Sequence, residues 1–176
     1  LINTLTLILA PVALIIVLGY SLMKRITYLC HFVLGLGLSL APVGAYISVT
    51  GEFNLLPVIY SFIVLTWVSG FDIIYALQDD DFDRSNSLYS IPAKTGRRYA
   101  LIISITTHFV TFLLVLLVGI IGSAGYLFWI GSAFFSGLLI YQHLIVKHDD
   151  ISRVNLAFAT TNGIASIGFA AFVILD

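Results

Sequence analysis

The chain has 176 residues, of which 60% are hydrophobic and only 10% charged, with a mean hydropathy of +1.06; this is far from the composition of a water-soluble domain. A formal net charge of −1 excludes a basic surface for nucleic acid, and a single cysteine, Cys30, excludes an intrachain disulfide.

Hydropathy predicts six spans, over residues 5–23, 26–49, 55–77, 99–121, 125–146 and 154–175, each close to the roughly 20 residues that a bilayer crossing requires. The expected class is all-α, a polytopic transmembrane helical bundle set in lipid. The first span ends in Tyr20-Ser-Leu-Met-Lys24-Arg25, where Tyr20 and Lys24 are four apart and share a face. Alone, that pattern reads as an interfacial tyrosine with snorkelling bases. The second span opens near His31, which a bland reading makes a hydrogen-bonded helix residue. It then carries Gly35, Gly37, Ser39, Ala41, Gly44 and Ala45, small residues suited to close helix packing, with Pro42 as an expected kink.

The third span ends in the most informative stretch, residues 72–83, which hold five of the nine acidic residues. At helical spacing Asp72, Tyr75, Asp79 and Asp83 fall within an arc of about 80°, with Asp81 opposite. This predicts an acidic stripe down the end of one helix, with hard oxygen ligands suited to a divalent cation. A solvated charge run is the alternative, but Asp72 lies more than a turn inside the apolar segment, where an unpaired carboxylate is costly. The loop over 78–98 follows, mixing Arg84, Lys94, Arg97 and Arg98 with Ser, Asn, Pro and Gly. Bases beside clustered acids suit a polyanion held through a metal, such as a diphosphate.

Residues 99–146 contain no Lys, Arg, Asp or Glu and divide at the turn signal Gly122-Ser-Ala-Gly125. His143, His148, Asp149, Asp150 and Arg153 are expected to form a polar turn before the last span, with Asp149 or Asp150 capping a helix. Asn155 and Asn162, seven apart on that span, are predicted to make interhelical hydrogen bonds. All eight basic residues follow the first, third or fifth span, so the positive-inside rule places those three loops in the cytoplasm.

At Tyr20-x-x-x-Lys24-Arg25, at the run from His31 to Tyr46, and above all at Gly70-Phe-Asp-Ile-Ile-Tyr-Ala-Leu-Gln-Asp-Asp-Asp-Phe-Asp-Arg84, the chain resembles the UbiA family of intramembrane prenyltransferases, in its 4-hydroxybenzoate polyprenyltransferase branch. The tail from Ser87 to Gly96 extends the match. The resemblance implies a nine-helix domain around a central cavity, of which this chain supplies the six C-terminal spans as one domain over 1–176. It implies Mg²⁺ held by two Asp-rich motifs, with a polyprenyl diphosphate and an aromatic acid as substrates. Asp79 and Asp83 would be metal ligands, with Asp72 as a third catalytic acid; Tyr20, Lys24, Arg84 and Lys94 would contact diphosphate. The expected reaction is prenylation of 4-hydroxybenzoate in ubiquinone synthesis, in a bacterial inner membrane with the site facing the cytoplasm.

The family's first Asp-rich motif is not found in this sequence. The expectation is therefore of an N-terminally truncated fragment, with negligible activity from this chain alone. The rivals are prenylation of a menaquinone-pathway aromatic, an inactive remnant, and a cation-coupled transporter using Asp72. The transporter predicts intramembrane acids on several spans, whereas here only the third carries one. Donor chain length, the particular acceptor and oligomeric state are not encoded in these motifs.

Overall fold

The structure, a computed structural model, describes residues 2–176 and is helical throughout its long elements. Helix α1 (Thr4–Gly19) starts at Asn3, whose side chain accepts from the Thr6 amide, and runs into a 3-10 turn over Tyr20–Arg25. Helices α2 (Cys30–Thr50) and α3 (Leu55–Tyr75) follow, then a 3-10 turn (Ala76–Gln78) and two short helices, α4 (Asp80–Ser85) and α5 (Ile91–Thr95). Helix α6 (Arg97–Ile121) and α7 (Tyr126–Ile145) form the next pair, and a π-helical turn (Leu156–Thr161) leads into α8 (Asn162–Leu175). Among the described residues, six helical stretches are long and apolar enough to cross a membrane, as expected. At a rise of about 1.5 Å per residue, a 21-residue helix such as α2 or α3 covers about 31 Å, the thickness of a hydrocarbon core.

Helix α3 is the centre of the bundle, packed chiefly against α2 and α6, while α7 packs on α8 and α1 leans on α2. Two glycines permit the close contacts. A Cβ at Gly35 of α2 would overlap Ser69 Oγ and sit 2.5 Å from the Leu65 carbonyl oxygen; one at Gly70 of α3 would overlap the His108 imidazole of α6. One apolar cluster (Ile59, Ile63, Val115, Phe128, Phe135, Leu139) fills one half of the bundle, and a second (Ile73, Ile74, Leu77, Ala100, Val146, Val154) lies beneath the acidic segment. At the far end the Asp176 carboxylate accepts from the amides of Gly125, Leu127 and Phe128, capping α7 and tying it to the end of α8.

Several expectations are corrected. The second span starts at Cys30 rather than residue 26, because the chain tightens into a 3-10 turn after Gly19 and needs residues 26–29 to reverse direction. The acidic segment is not one continuous helix: α3 stops at Tyr75 and α4 begins at Asp80. The break places Asp80, Asp81 and Asp83 in the first turn of a new helix, where exposed amides and the helix dipole favour negative charge. Residues 78–98 are accordingly two short helices and their connections. His143 is not in the polar turn; it lies in α7, hydrogen-bonded to His108 at 2.9 Å. In that turn Asp150 accepts from the Ser152 amide at 3.0 Å and caps no long helix. The Ser152 hydrogen bonds hold the Asp150 carboxyl below its ordinary range. Asn162 does bridge helices, accepting from Gln142 Nε2 at 2.6 Å, but Asn155 is exposed: the π turn between them adds a residue and spoils their common face.

Candidate active site

The break after α3 turns the acids toward the end of α1. Lys24 Nζ lies 3.3 Å from Asp79 Oδ2 and 3.0 Å from Asp83 Oδ1, so one ammonium bridges two carboxylates spaced four residues apart. Asp83 is fully buried, Asp79 is 47% exposed and Lys24 34% exposed. Asp83 Oδ2 has no hydrogen-bond partner although it is buried. A buried carboxylate oxygen left unpaired is costly, so the site has an unmet demand for a cation or donor.

Loop connections hold this arrangement. The Tyr89 amide donates to the Lys24 carbonyl at 2.6 Å and the Leu88 amide to the Asp83 carbonyl at 2.8 Å. Tyr28 and Tyr89 meet edge to face at 4.8 Å between ring centroids, and the Cys30 thiol donates to the Tyr89 carbonyl. Ser90 caps α5 by accepting from the Ala93 amide. The strand of chain from Asn86 to Ser90 is thereby fastened across the ends of α1 and α2.

Beneath it lies a cleft of about 300 Å³, lined by Tyr20, Lys24, His31, Asp72, Tyr75 and Asp79 among others. Four of the seven site residues singled out from the sequence thus share one cavity, and Lys24 links Asp83 to it. Arg84 and Lys94 do not line it. Arg84 donates to the carbonyls of Pro92 and Ala93 and to Asp80, pinning α4 to α5, and Lys94 stacks over the Tyr28 ring at 4.4 Å. Both side chains are long enough to be captured by nearer partners, which their position in the loop did not reveal.

Two features escaped the sequence. Arg97 donates twice to Asp80, at 3.0 and 2.8 Å, and once to Asp81, so Asp80 is an anchoring acid facing away from Lys24. His31 is buried and bonded to Asp72 at 2.7 Å. A histidine at the start of an apolar span was the visible signal; its partner, 41 residues away, was not.

Among the described residues, no three His, Cys, Asp or Glu side chains form a complete metal cage. Asp79 and Asp83 nevertheless offer hard oxygen ligands, and the orphaned Asp83 Oδ2 is the donor such a site needs; the residues fit one side of a Mg²⁺ site.

Comparison with known proteins decides the family. Residues 1–171 match the model of the UbiA prenyltransferase family. The chain belongs to that family. Its relatives include 4-hydroxybenzoate octaprenyltransferases of Aliivibrio fischeri strain MJ11, 30% identical over 169 residues that make up 96% of this chain and 58% of that protein. The enzyme of the same name from Aliivibrio salmonicida is 31% identical, over 96% of this chain and 59% of its own length. The apo structure of a UbiA homolog from Aeropyrum pernix K1 superimposes with a TM-score of 0.88 at 31% identity, covering 99% of this chain and 65% of that one. This UbiA chain therefore spans less than two thirds of the length of these relatives. With its six apolar helices it is an integral, multi-pass membrane protein of the UbiA fold.

Proposed function

We propose that the chain contributes the diphosphate-binding part of a Mg²⁺-dependent aromatic prenyltransferase, which moves a polyprenyl group from a polyprenyl diphosphate to 4-hydroxybenzoate in quinone synthesis. The observation that carries this reading is the Lys24 bridge between Asp79 and Asp83 at the mouth of a cleft. The named activity of the Aliivibrio relatives supports the substrate pair. Asp79 and Asp83 would hold the metal, and bound Mg²⁺ would supply charge neutralisation for the leaving diphosphate.

This chain's residues do the rest. Before substrate arrives, Lys24 neutralises two acids that would otherwise repel each other. On binding, the ammonium turns to the diphosphate oxygens, which frees the Asp79 and Asp83 carboxylates that would hold the metal. Tyr20, on the same cleft wall, offers a hydroxyl to the same anion. A positive group fixed beside the departing oxygen lowers the barrier to breaking the allylic C–O bond. Exclusion of water by the apolar helices protects the electron-poor carbon from hydrolysis. The basic residues of its loops support a cytoplasmic orientation for this mouth, and the bacterial relatives support a bacterial inner membrane. The six helices act as one unit.

The test is transfer of a labelled prenyl group to 4-hydroxybenzoate in membranes containing the whole enzyme to which this chain is proposed to contribute. Asp79→Ala and Asp83→Ala are each expected to reduce Mg²⁺-dependent transfer at least a hundredfold, about 2.7 kcal/mol of transition-state stabilisation. Transfer retained in both variants overturns the assignment.

A further inference from the structure

The cleft contains a second polar group that the diphosphate clamp does not use. The Ile91 amide donates to His31 Nε2 at 3.3 Å, which makes that nitrogen the acceptor and leaves the proton on Nδ1. Nδ1–H then donates to Asp72 Oδ2 at 2.7 Å. The imidazole is 1% exposed and hydrogen-bonded at both ring nitrogens, which holds the ring in place. The Asp72 side chain keeps 21% exposure and lines the cleft. One carboxylate oxygen is therefore committed to His31, and the carboxylate still faces the cavity.

Asp72 is also in the wrong place to serve the clamp. It lies seven residues before Asp79, about 10–14 Å of helix rise deeper into the bundle. A single Mg²⁺ holds its ligands at about 2.1 Å and cannot reach both acids. On the prenyl-transfer reading, the group beyond the diphosphate, past the allylic carbon, is the acceptor ring.

We propose that Asp72, held by His31, is the base that removes the ring proton of the hydroxylated aromatic acceptor. The proposal rests on the prenyl-transfer reading above. The electron pair for the new C–C bond comes from the ring carbon beside the hydroxyl. The allylic C–O bond breaks with its pair leaving on the diphosphate, and the ring proton passes to Asp72 as aromaticity returns. His31 keeps its own proton throughout, because Nε2 is engaged by the Ile91 amide; it is a positioning residue.

Two readouts on the detergent-solubilised whole enzyme test this: affinity for inorganic diphosphate with Mg²⁺, and steady-state transfer from geranyl diphosphate to 4-hydroxybenzoate. Asp72→Asn is expected to keep diphosphate affinity within about twofold and the donor KM unchanged, while kcat falls about a hundredfold. His31→Ala should lower kcat about tenfold at unchanged diphosphate affinity, and His31→Gln, whose amide can donate to Asp72, should recover most of it. Retained diphosphate affinity also shows that each variant is folded. Full kcat in Asp72→Asn, or a loss of diphosphate affinity as large as that of Asp79→Asn, overturns the Asp72 assignment alone. Undiminished diphosphate affinity in Asp79→Asn contradicts the clamp, and the Asp72 proposal with it.

Discussion

Asp83 shows how far a single residue's environment departs from its place in the sequence. From the sequence it is one acid of a stripe that could hold a cation; in the structure its side chain is fully buried with Lys24 as partner and one oxygen unpaired. The spacing of Asp79 and Asp83 was legible because four residues is a turn of helix. Lys24, more than fifty residues earlier, was legible as a cation on the same membrane face and a candidate diphosphate contact; its direct pairing with both acids is given by the fold. Lys24→Ala removes both the proposed diphosphate contact and the counter-charge of a buried acid. It is expected to raise the donor KM about tenfold and lower the thermal midpoint, with Lys24→Arg closer to wild type on both counts. An unchanged KM in Lys24→Ala would count against its role. At Asp80 the expected effect is on stability: Arg97→Ala removes a two-pronged partner and should cost about 2 kcal/mol by thermal melting, with little change in donor KM.

At the scale of elements, the spans were readable and their ends were not. Hydropathy records how much of a helix meets lipid, whereas the breaks at Tyr75 and at the π turn go with long-range side-chain partners: Lys24 and Arg97 for the acids, Gln142 for Asn162. The small residues of α2 did forecast close packing, and the structure sorts them. Gly35 faces the Leu65 backbone, which cannot yield, while a Cβ at Gly44 meets nothing within 4 Å. Gly35→Ala should therefore lose about 1–3 kcal/mol to overpacking, whereas Gly44→Ala should be neutral or stabilising by up to about 1 kcal/mol through helix propensity. Thermal melts of the two variants side by side check this. Equal behaviour would mean that the α2–α3 contact is looser than described.

For the whole molecule, alternation of basic and uncharged loops predicts that the clamp and the Gly122–Gly125 turn lie on opposite sides of the membrane. In a Cys30→Ala background, a cysteine at Ser87 should label only from the cytoplasmic side and one at Ser123 only from the outside. Labelling of both from one side would refute the six-span topology. The central claim is that Asp79, Asp83 and Lys24 form one diphosphate clamp. The most direct test is calorimetric titration of the purified protein with an unreactive thio-diphosphate analogue of the prenyl donor. Binding should weaken at least tenfold, about 1.4 kcal/mol, on chelation of Mg²⁺ and again in Asp83→Ala. Equal affinity with and without Mg²⁺, in both wild type and Asp83→Ala, would contradict the account.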